Sequence, residues 1–297
     1  MLRAGLHTTV QDGGRWGWQH VGVAPGGALD VAALRRANVL VGNGADEAGL
    51  EVTISGCVLR ADAPLHVAVT GAPVTLSLAG HPVPIDTAVE WPAGAVLAVG
   101  ARLAGARSYL AIRGGIDSPL VLGSRSAWPG APRRGALGDG ASLPIASRIA
   151  GPVRQGTWPG PDRRAVLRLL PTSEASEHAA RALDVLCRAP YRIAASATRM
   201  AYPLEGTAID LVEPARASSG TVTGALQILP SGRPVLLMAD RHTTGGYPVA
   251  AIVISADHRH AAQLAPGDEV RLVTCTRHEA MQALVRDELA WQRWCTS

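Results

Sequence analysis

The sequence predicts a mainly antiparallel β protein with a few short helices, on three observations. First, 47% of the 297 residues are hydrophobic and 18% are charged, so the chain can bury a sizeable core. Second, 33 Gly and 21 Pro indicate a chain that turns often. Third, short apolar runs between turn residues outnumber the helical patterns. A chain of this length is expected to form about two domains.

Each predicted element rests on a local pattern. Apolar runs bounded by Gly, Pro or Asp predict strands at 65–69, 74–78, 96–99, 109–112, 235–238, 249–254 and 270–273. Helices are predicted from Asp30 to Gly42, from about Ser173 to Pro190, and from Thr276 to Trp294. Asp30 is a predicted N-cap, and Thr276 and Glu279 have the spacing of a capping box.

A faint internal repeat indicates how the chain is divided into domains. In each half an apolar run leads to a pair of glycines, Gly114–Gly115 and Gly245–Gly246, and a Gly/Asp turn before another apolar run follows at a similar interval. The repeat predicts two duplicated β-barrels, although a common turn sequence explains it equally well. The Gly/Pro/Arg-rich stretch 151–164 is a natural boundary, and we predict lobes of residues 1–157 and 158–297.

The absence of lysine excludes several classes of enzyme. All 28 basic residues are arginine, and the chain contains no phenylalanine. This chain alone therefore supplies no Schiff-base lysine, no lysine of a phosphate-binding Walker loop and no anchor for pyridoxal phosphate.

Charge and cysteine content narrow the expected partners and compartment. The net charge of +4 is spread along the chain without aromatic residues among the basic clusters, so nucleic acid is not an expected partner. The 4 cysteines show no metal-ligand spacing, and we expect free thiols and no metal site. The start lacks the apolar stretch of a secretory signal, and no apolar run reaches about 18 residues. We therefore expect a cytoplasmic protein without a membrane segment.

Two candidate sites lie in the first fifty residues. A glycine-rich segment carries Gln11, Asp12 and Arg15, an amide, an acceptor and a forked donor that together suit an anion. The alternative is a surface loop in which Asp12 and Arg15 pair only with each other. Asn38 lies on the apolar stripe of the first helix, so it either ties that helix to a loop backbone or contacts a ligand, and Glu51 is expected to play a similar architectural part.

Two further candidates follow apolar runs, where small residues leave backbone N–H groups accessible to a carboxylate or oxyanion. The first candidate comprises Arg113, Gly114 and Gly115 together with Ser124 and Arg125. The second is unusually rich in functional groups and comprises Asp240, His242, Thr243, Thr244, Gly245, Gly246 and Tyr247. Its alternative is a hairpin turn in which Asp240 and Thr243 bond their own backbone.

Seven motifs occur in an order that resembles a known family. They are Thr9-Val10-Gln11-Asp12 with Gly14-Arg15, Gly27-Ala28-x-Asp30, 37–43, Gly114-Gly115-Ile116, 122–126, Gly224-Ala225-x-Gln227 and the segment from Asp240 to Pro248. The chain resembles the biotin-dependent carboxyltransferase family, also called allophanate hydrolase subunit 2, whose bacterial members include the C component of 5-oxoprolinase and the antagonist of a sporulation kinase inhibitor. The resemblance covers nearly the whole chain. The pattern departs at Ala127, Ala201 and His242, and the last change leaves the substrate open.

The resemblance implies two cyclophilin-like β-barrel lobes and a partner of the allophanate hydrolase subunit 1 type, which corresponds to the B component of 5-oxoprolinase. In the 5-oxoprolinase branch it also implies a third protein, the A component. It implies ATP-linked chemistry on a small amide, most simply the opening of 5-oxoproline to glutamate, with ATP shared with or held by the partners. The alternatives are a biotin-dependent carboxyltransferase acting on urea or a related amide, and a non-catalytic regulatory protein that binds a kinase-inhibitor-like partner.

Under this hypothesis the candidate residues take distinct roles. Asp240, His242 or Tyr247 would move a proton, with Thr243 and Thr244 beside them in the catalytic segment. The N–H groups at Gly114–Gly115 and Gly245–Gly246 would stabilise an oxyanion. The substrate carboxylate requires an arginine, for which the candidates are Arg15, Arg113 and Arg125. Gln11, Asp12, Asn38, Ser124 and Gln227 are the remaining predicted substrate-binding residues.

Overall fold

The computed structural model describes residues 1–128, 135–147, 151–154, 165–172, 177–209 and 217–296. The chain forms two compact units. Unit 1 comprises Met1–Trp16 and Gly26–Pro161, and unit 2 comprises Gly17–Pro25 and Asp162–Ser297. The lobe bounds 1–157 and 158–297 stay a prediction of the sequence.

The described residues of unit 1 form two antiparallel sheets and one α-helix. Its elements are β1 (His7–Gln11), α1 (Val31–Leu40), β2 (Gly49–Thr53), β3 (Val58–Arg60), β4 (Leu65–Gly71), β5 (Val74–Leu78), β6 (His81–Pro82), β7 (Ala88–Trp91), β8 (Val96–Arg102) and β9 (Arg107–Ile112). One sheet has the order β1-β2-β9-β4-β7 and the other β3-β8-β5-β6. Alternate residues of both sheets, such as Leu50, Leu110 and Leu97, meet in a single hydrophobic core.

Unit 2 contains a closed barrel. Its elements are β10 (Val166–Pro171), α2 (Glu177–Arg188), β11 (Tyr191–Ile193), β12 (Ala201–Glu205), β13 (Ser219–Gly220), β14 (Ala225–Ile228), β15 (Pro234–Leu237), β16 (Thr244–Gly245), β17 (Val249–Val253), α3 (His258–Ala262), β18 (Glu269–Thr274) and α4 (Arg277–Thr296). The barrel order is β10-β17-β14-β15-β12-β11-β18, with β10 and β18 parallel, and β13 pairs with β16 outside it. Single 3₁₀ turns occupy Gln19–Val21 and Ser255–Asp257.

The prediction of a mainly β fold with few helices is confirmed. Of the two predicted barrels, the described residues show one closed barrel, in unit 2, whereas those of unit 1 form the two sheets above. Asp30 caps α1 by accepting a hydrogen bond from the N–H of Ala33 at 3.0 Å, and Thr276 and Glu279 form the predicted capping box at α4. Ser173, where the second helix was expected to begin, lies outside the described residues.

The outer face of the five-stranded sheet carries a buried polar network beneath α1. Glu51 on β2 and Tyr109 on β9 are register partners, and the Tyr109 hydroxyl donates to Glu51 Oε2 at 2.8 Å. The same Glu51 oxygen accepts from the N–H of Leu29, and the Tyr109 hydroxyl accepts from the N–H of Asp30. Arg107 pairs with the other Glu51 oxygen at 3.5 Å. The network therefore connects two strands to the residues that start α1.

Burial raises the pKa of Tyr109 well above its usual value, and the carboxylates of Glu51 and Asp30 add to the effect. The phenol consequently stays protonated and remains the donor to Glu51. Thr70 on β4 makes a second connection, because its hydroxyl donates to the Ala33 carbonyl of α1 at 2.6 Å.

No helix in the described part of the chain combines the length and the apolar character that a membrane span requires. Across the same residues, no cluster of three or more His, Cys, Asp or Glu is placed to hold a metal ion.

Tyr109→Phe is expected to lower the free energy of unfolding by about 1 to 3 kcal/mol, because the N–H of Asp30 and the Glu51 carboxylate each lose a partner in a buried site. Urea denaturation measures the change. Tyr247→Phe is the control, since Tyr247 is 48% exposed, and it is expected to leave stability unchanged. Equal stability of the Tyr109→Phe variant and the wild type would contradict this role of the hydroxyl.

Candidate functional site

In unit 1, Asp12 organises the turn that holds Ser124, Arg125 and Ser126. Its Oδ1 accepts from the Ser124 and Ser126 hydroxyls and from the N–H of Gly14, and its Oδ2 accepts from the N–H of Arg125. Such a carboxylate has little accepting capacity left for a substrate. Asp12 therefore holds the turn in place and is not an available substrate ligand.

Arg15 is fully buried beside the same turn. Its Nη2 donates to the Ser126 carbonyl at 2.6 Å, and its guanidinium lies 5.5 Å from the centre of the Trp128 ring, within the range of a cation–π contact. Asp12 is buried as well. The alternative of a surface loop containing Asp12 and Arg15 is therefore wrong for these two side chains.

The other two arginines expected to bind a carboxylate have protein partners. Arg125 pairs with Asp117 at 2.9 Å and donates to the Ser118 carbonyl. Arg113 donates to the Val41 carbonyl at 2.9 Å, just after α1. Neither guanidinium is an uncommitted donor in the structure.

Asn38 ties α1 to the loop that follows it. Its Nδ2 donates to the carbonyls of Ala45 at 3.2 Å and Glu47 at 2.7 Å, while its Oδ1 accepts from Asn43. Asn43 also accepts from the N–H of Gly114 at 2.8 Å. The geometry supports the architectural alternative for Asn38, which lies fully buried.

The same contacts occupy the N–H groups at the first glycine pair. The N–H of Gly114 donates to Asn43, and that of Gly115 donates to the Ile112 carbonyl at 2.9 Å. Gly114 has φ +94°, and an added Cβ would lie 2.1 Å from the Ala146 carbonyl oxygen. These glycines serve a tight turn, so the expectation that their N–H groups face an oxyanion is not supported. Asn43, which sequence reasoning left unassigned, is the residue that holds them.

Gln11 ends β1 in a fully buried position. Its Nε2 donates to the Thr9 hydroxyl at 3.0 Å, and its Oε1 has no hydrogen-bond partner within the described ranges. The predicted unit 1 residues are thus mostly engaged with one another or with the backbone, and Gln11 retains an unused acceptor.

In unit 2, Asp240 forms a buried ion pair with Arg199. The guanidinium binds the carboxylate through two hydrogen bonds, Nε to Oδ2 at 2.9 Å and Nη2 to Oδ1 at 3.1 Å. The N–H of Asp240 also donates to the Arg199 carbonyl. Because both carboxylate oxygens accept hydrogen bonds from Arg199, Asp240 is fixed in place and positions the segment that follows it. Sequence reasoning did not single out Arg199, since its partner is 41 residues away and local spacing does not reveal the pair.

Residues 242–247 form a short ribbon, most of which reaches solvent, whereas Arg241 just before it is buried. Thr244 and Gly245 pair with Gly220 and Ser219, and the Thr221 hydroxyl donates to the His242 carbonyl. The side chains of His242, Thr244 and Tyr247 are exposed and Thr243 is half-buried. The predicted catalytic residues other than Asp240 are therefore accessible on one strand and its continuation.

Gln227 is brought against this ribbon. It lies on β14, and a Cβ added at Gly245 would be 2.8 Å from its Nε2. Its amide makes no hydrogen bond to the rest of the described chain, and the backbone of Gly246 does not lie in the left-handed region. The structure thus joins Gln227, Gly245 and the ribbon, which the sequence separates by about 20 positions.

Comparison with known proteins identifies the class of protein that carries this arrangement. The family described as carboxyltransferase domain, subdomain A and B, matches residues 21–274, most of the chain. The chain therefore belongs to this carboxyltransferase family, which confirms the resemblance seen in its motifs.

Within that family the chain is similar to two bacterial proteins, each named as the C component of 5-oxoprolinase. It is 36% identical to the Escherichia coli protein over 98% of this chain and 97% of the relative. It is 32% identical to the Haemophilus influenzae protein over 95% of this chain and 92% of the relative.

Two solved structures share the fold. The crystal structure of TTHA0988 has a TM-score of 0.80 and 33% identity, covering 92% of this chain and 98% of that chain. The urea amidolyase of Kluyveromyces lactis has a TM-score of 0.86 and 26% identity, covering 95% of this chain but 19% of that much longer one.

Asn38→Leu is expected to lower the free energy of unfolding by about 1 to 3 kcal/mol, because two backbone carbonyls and Asn43 are left buried without their partner. Arg35→Leu on the same helix is the control, since it removes only an exposed ion pair with Asp46. An unchanged melting temperature together with lost activity would instead make Asn38 a ligand contact.

Gly245→Ala is expected to push the Gln227 amide aside and to reduce turnover in the assembled enzyme, with a stability cost below about 1 kcal/mol because the displaced group is the end of a flexible side chain. Gly220→Ala on the paired strand is the matched control, because its Cβ meets open space. Turnover and thermal unfolding are measured on the same preparations. Full turnover of Gly245→Ala would exclude Gln227 from the site.

Proposed function

We propose that this chain is one component of a heteromeric ATP-dependent amide hydrolase of the 5-oxoprolinase type, which opens 5-oxoproline to glutamate. The similarity along nearly the whole length of the E. coli 5-oxoprolinase C component carries the proposal. The partners are a B component of the allophanate hydrolase subunit 1 type and a third protein, the A component, and the enzyme is cytoplasmic. Both lobes, 1–157 and 158–297, are proposed to be cyclophilin-like.

The ribbon after Asp240 supports this chemistry best. Opening a lactam builds negative charge on the carbonyl oxygen, which backbone N–H groups stabilise. The N–H of Gly246 donates to no acceptor elsewhere in the described chain, in contrast to the N–H groups of Gly114 and Gly115. The exposed His242, Thr244 and Tyr247 and the half-buried Thr243 lie beside it and supply groups that hold or move a proton. The Arg199–Asp240 ion pair anchors the start of the ribbon.

ATP is proposed to be held by the partner proteins. This chain has no lysine for a conventional phosphate-binding loop. The residues present therefore do not fit a conventional nucleotide site, and no step of the reaction is assigned to ATP on this chain.

A biotin-dependent carboxyltransferase acting on urea or a related amide is the second candidate function. It is favoured by the similarity to urea amidolyase. A regulatory protein that only binds a kinase-inhibitor-like partner is distinguished from both by the absence of turnover.

The isolated chain is expected to show no 5-oxoproline-dependent ATP hydrolysis, whereas co-purification with the A and B components restores it. Assays with urea and biotin carboxylated on its carrier test the second candidate. Turnover by the single chain would contradict the proposed dependence on partner proteins. If the assembly turns over neither 5-oxoproline nor urea, the regulatory role is the remaining candidate.

Gly246→Ala is expected to lower turnover of the assembly while costing little stability. Gly246 does not need a positive φ, so an added Cβ causes no backbone strain and acts by blocking the approach of substrate to the N–H. Melting temperature and turnover on one preparation separate the two effects. Unchanged turnover in a folded, partner-bound variant would remove Gly246 from the site.

A further inference from the structure

Arg241 is a buried guanidinium at the start of the exposed ribbon. It is 4% exposed and lies between Asp240, which is committed to Arg199, and His242. Its Nη1 donates to the Thr223 hydroxyl at 2.8 Å and its Nη2 to the Thr221 carbonyl at 3.3 Å. Its Nε is buried without a hydrogen-bond partner in the part of the chain that the structure describes.

No carboxylate of the described residues pairs with Arg241. Two other arginines of the same unit, Arg199 and Arg168, are paired with Asp240 and Asp257 respectively. Burial lowers the pKa of Arg241, and no neighbouring acid counters this effect. A cation removed from water without a counter-charge is unfavourable, so the site favours an anion that supplies one.

The surroundings of Arg241 are also suited to an anion. Burial lowers the pKa of His258, and the nearby charge of Arg241 lowers it further. The imidazole beside Arg241 therefore favours its neutral form. Gly224 packs so closely that an added Cβ would be 2.6 Å from His258 Nε2. The Thr223 hydroxyl contacts the guanidinium directly, and the Thr221 hydroxyl donates to the carbonyl of His242, the residue after Arg241.

We propose that Arg241 binds the carboxylate of the small substrate. The ligand class is a compact monocarboxylate, and 5-oxoproline is its representative if the proposed function holds, on which this identification rests. A guanidinium binds the two oxygens of a carboxylate with paired hydrogen bonds. The Nε–H of Arg241 makes no hydrogen bond within the described chain, so it can donate to a carboxylate without breaking one. The three arginines expected from the sequence, Arg15, Arg113 and Arg125, are already engaged with protein groups.

The test compares 5-oxoproline with its neutral carboxamide on the full chain, alone and assembled with its partners. Calorimetry gives Kd, and steady-state assays of the assembly give KM for 5-oxoproline and for ATP. Arg241→Gln removes the charge, and Arg241→Lys keeps it. Arg192→Gln is the control, because Arg192 lies exposed in the same unit and pairs with the exposed Glu269.

Arg241→Gln is expected to weaken 5-oxoproline binding by at least about tenfold, as loss of one partner of a buried charge pair does, while KM for ATP is unchanged. Arg241→Lys is expected to recover part of the loss, and Arg192→Gln to match the wild type. The wild type should prefer the acid to the carboxamide, and Arg241→Gln should lose that preference. If Arg241→Gln fails to fold, Arg241→Lys provides the test. A smaller ratio of acid to carboxamide affinity than in the wild type supports the contact, and an equal ratio contradicts it.

Equal affinity of the wild type and Arg241→Gln for 5-oxoproline would overturn the proposal, as would a wild type that does not bind 5-oxoproline or distinguish it from the carboxamide. Binding of bicarbonate that depends on Arg241, without such binding of 5-oxoproline, would overturn it in favour of a carboxyl-donor site. Binding of 5-oxoproline that depends on Arg241, without turnover by the assembly, would support the carboxylate site and refute the proposed function. Turnover of 5-oxoproline that is unchanged in Arg241→Gln would support the proposed function and refute the carboxylate site at Arg241.

Discussion

The buried carboxylate of Glu51 is the constraint on which the rest of unit 1 depends. It accepts from Tyr109 and from the backbone of Leu29 and pairs with Arg107, so one side chain connects β2, β9 and the start of α1. A buried charge is tolerated only when its partners are complete, and this requirement fixes where the helix lies on the sheet. The end of α1 then places Asn38 and Asn43, and Asn43 in turn holds the turn at Gly114.

Unit 2 uses charge in two different ways. The Arg199–Asp240 and Arg168–Asp257 pairs are complete, with two hydrogen bonds each between the side chains, and they stabilise the positions of their segments. Arg241 is buried next to one of these pairs and has hydroxyl and carbonyl partners only. Completed pairs suit architecture because nothing further can bind without breaking them, whereas an uncompensated cation keeps its capacity for an anion.

Buried aspartates illustrate why a motif residue is not necessarily a catalytic one. Asp12 and Asp240 stand in motifs of the family, yet each carboxylate accepts hydrogen bonds from protein groups that occupy both oxygens. Their contribution is to hold glycine-rich segments, in one case the turn at Ser124 and in the other the ribbon at Gly245. In unit 2, the groups accessible to a substrate are the exposed residues of the ribbon that Asp240 positions.

The sequence by itself determined the features that depend on neighbours along the chain. The caps at Asp30 and Thr276 and the strands β4 and β5 follow from local spacing, because a helix or a strand repeats every few residues. The order of the family motifs is read directly along the chain and rests on the resemblance. Only the tertiary structure decided which polar groups have their hydrogen bonds satisfied within the protein. Asp12 and Ser124 are 112 positions apart, and Arg199 and Asp240 are 41 apart. Spacing in the sequence carries no information about such contacts, since they form only when separate segments pack together. They alone distinguish Arg199, which is paired with a carboxylate, from Arg241, which has only neutral partners.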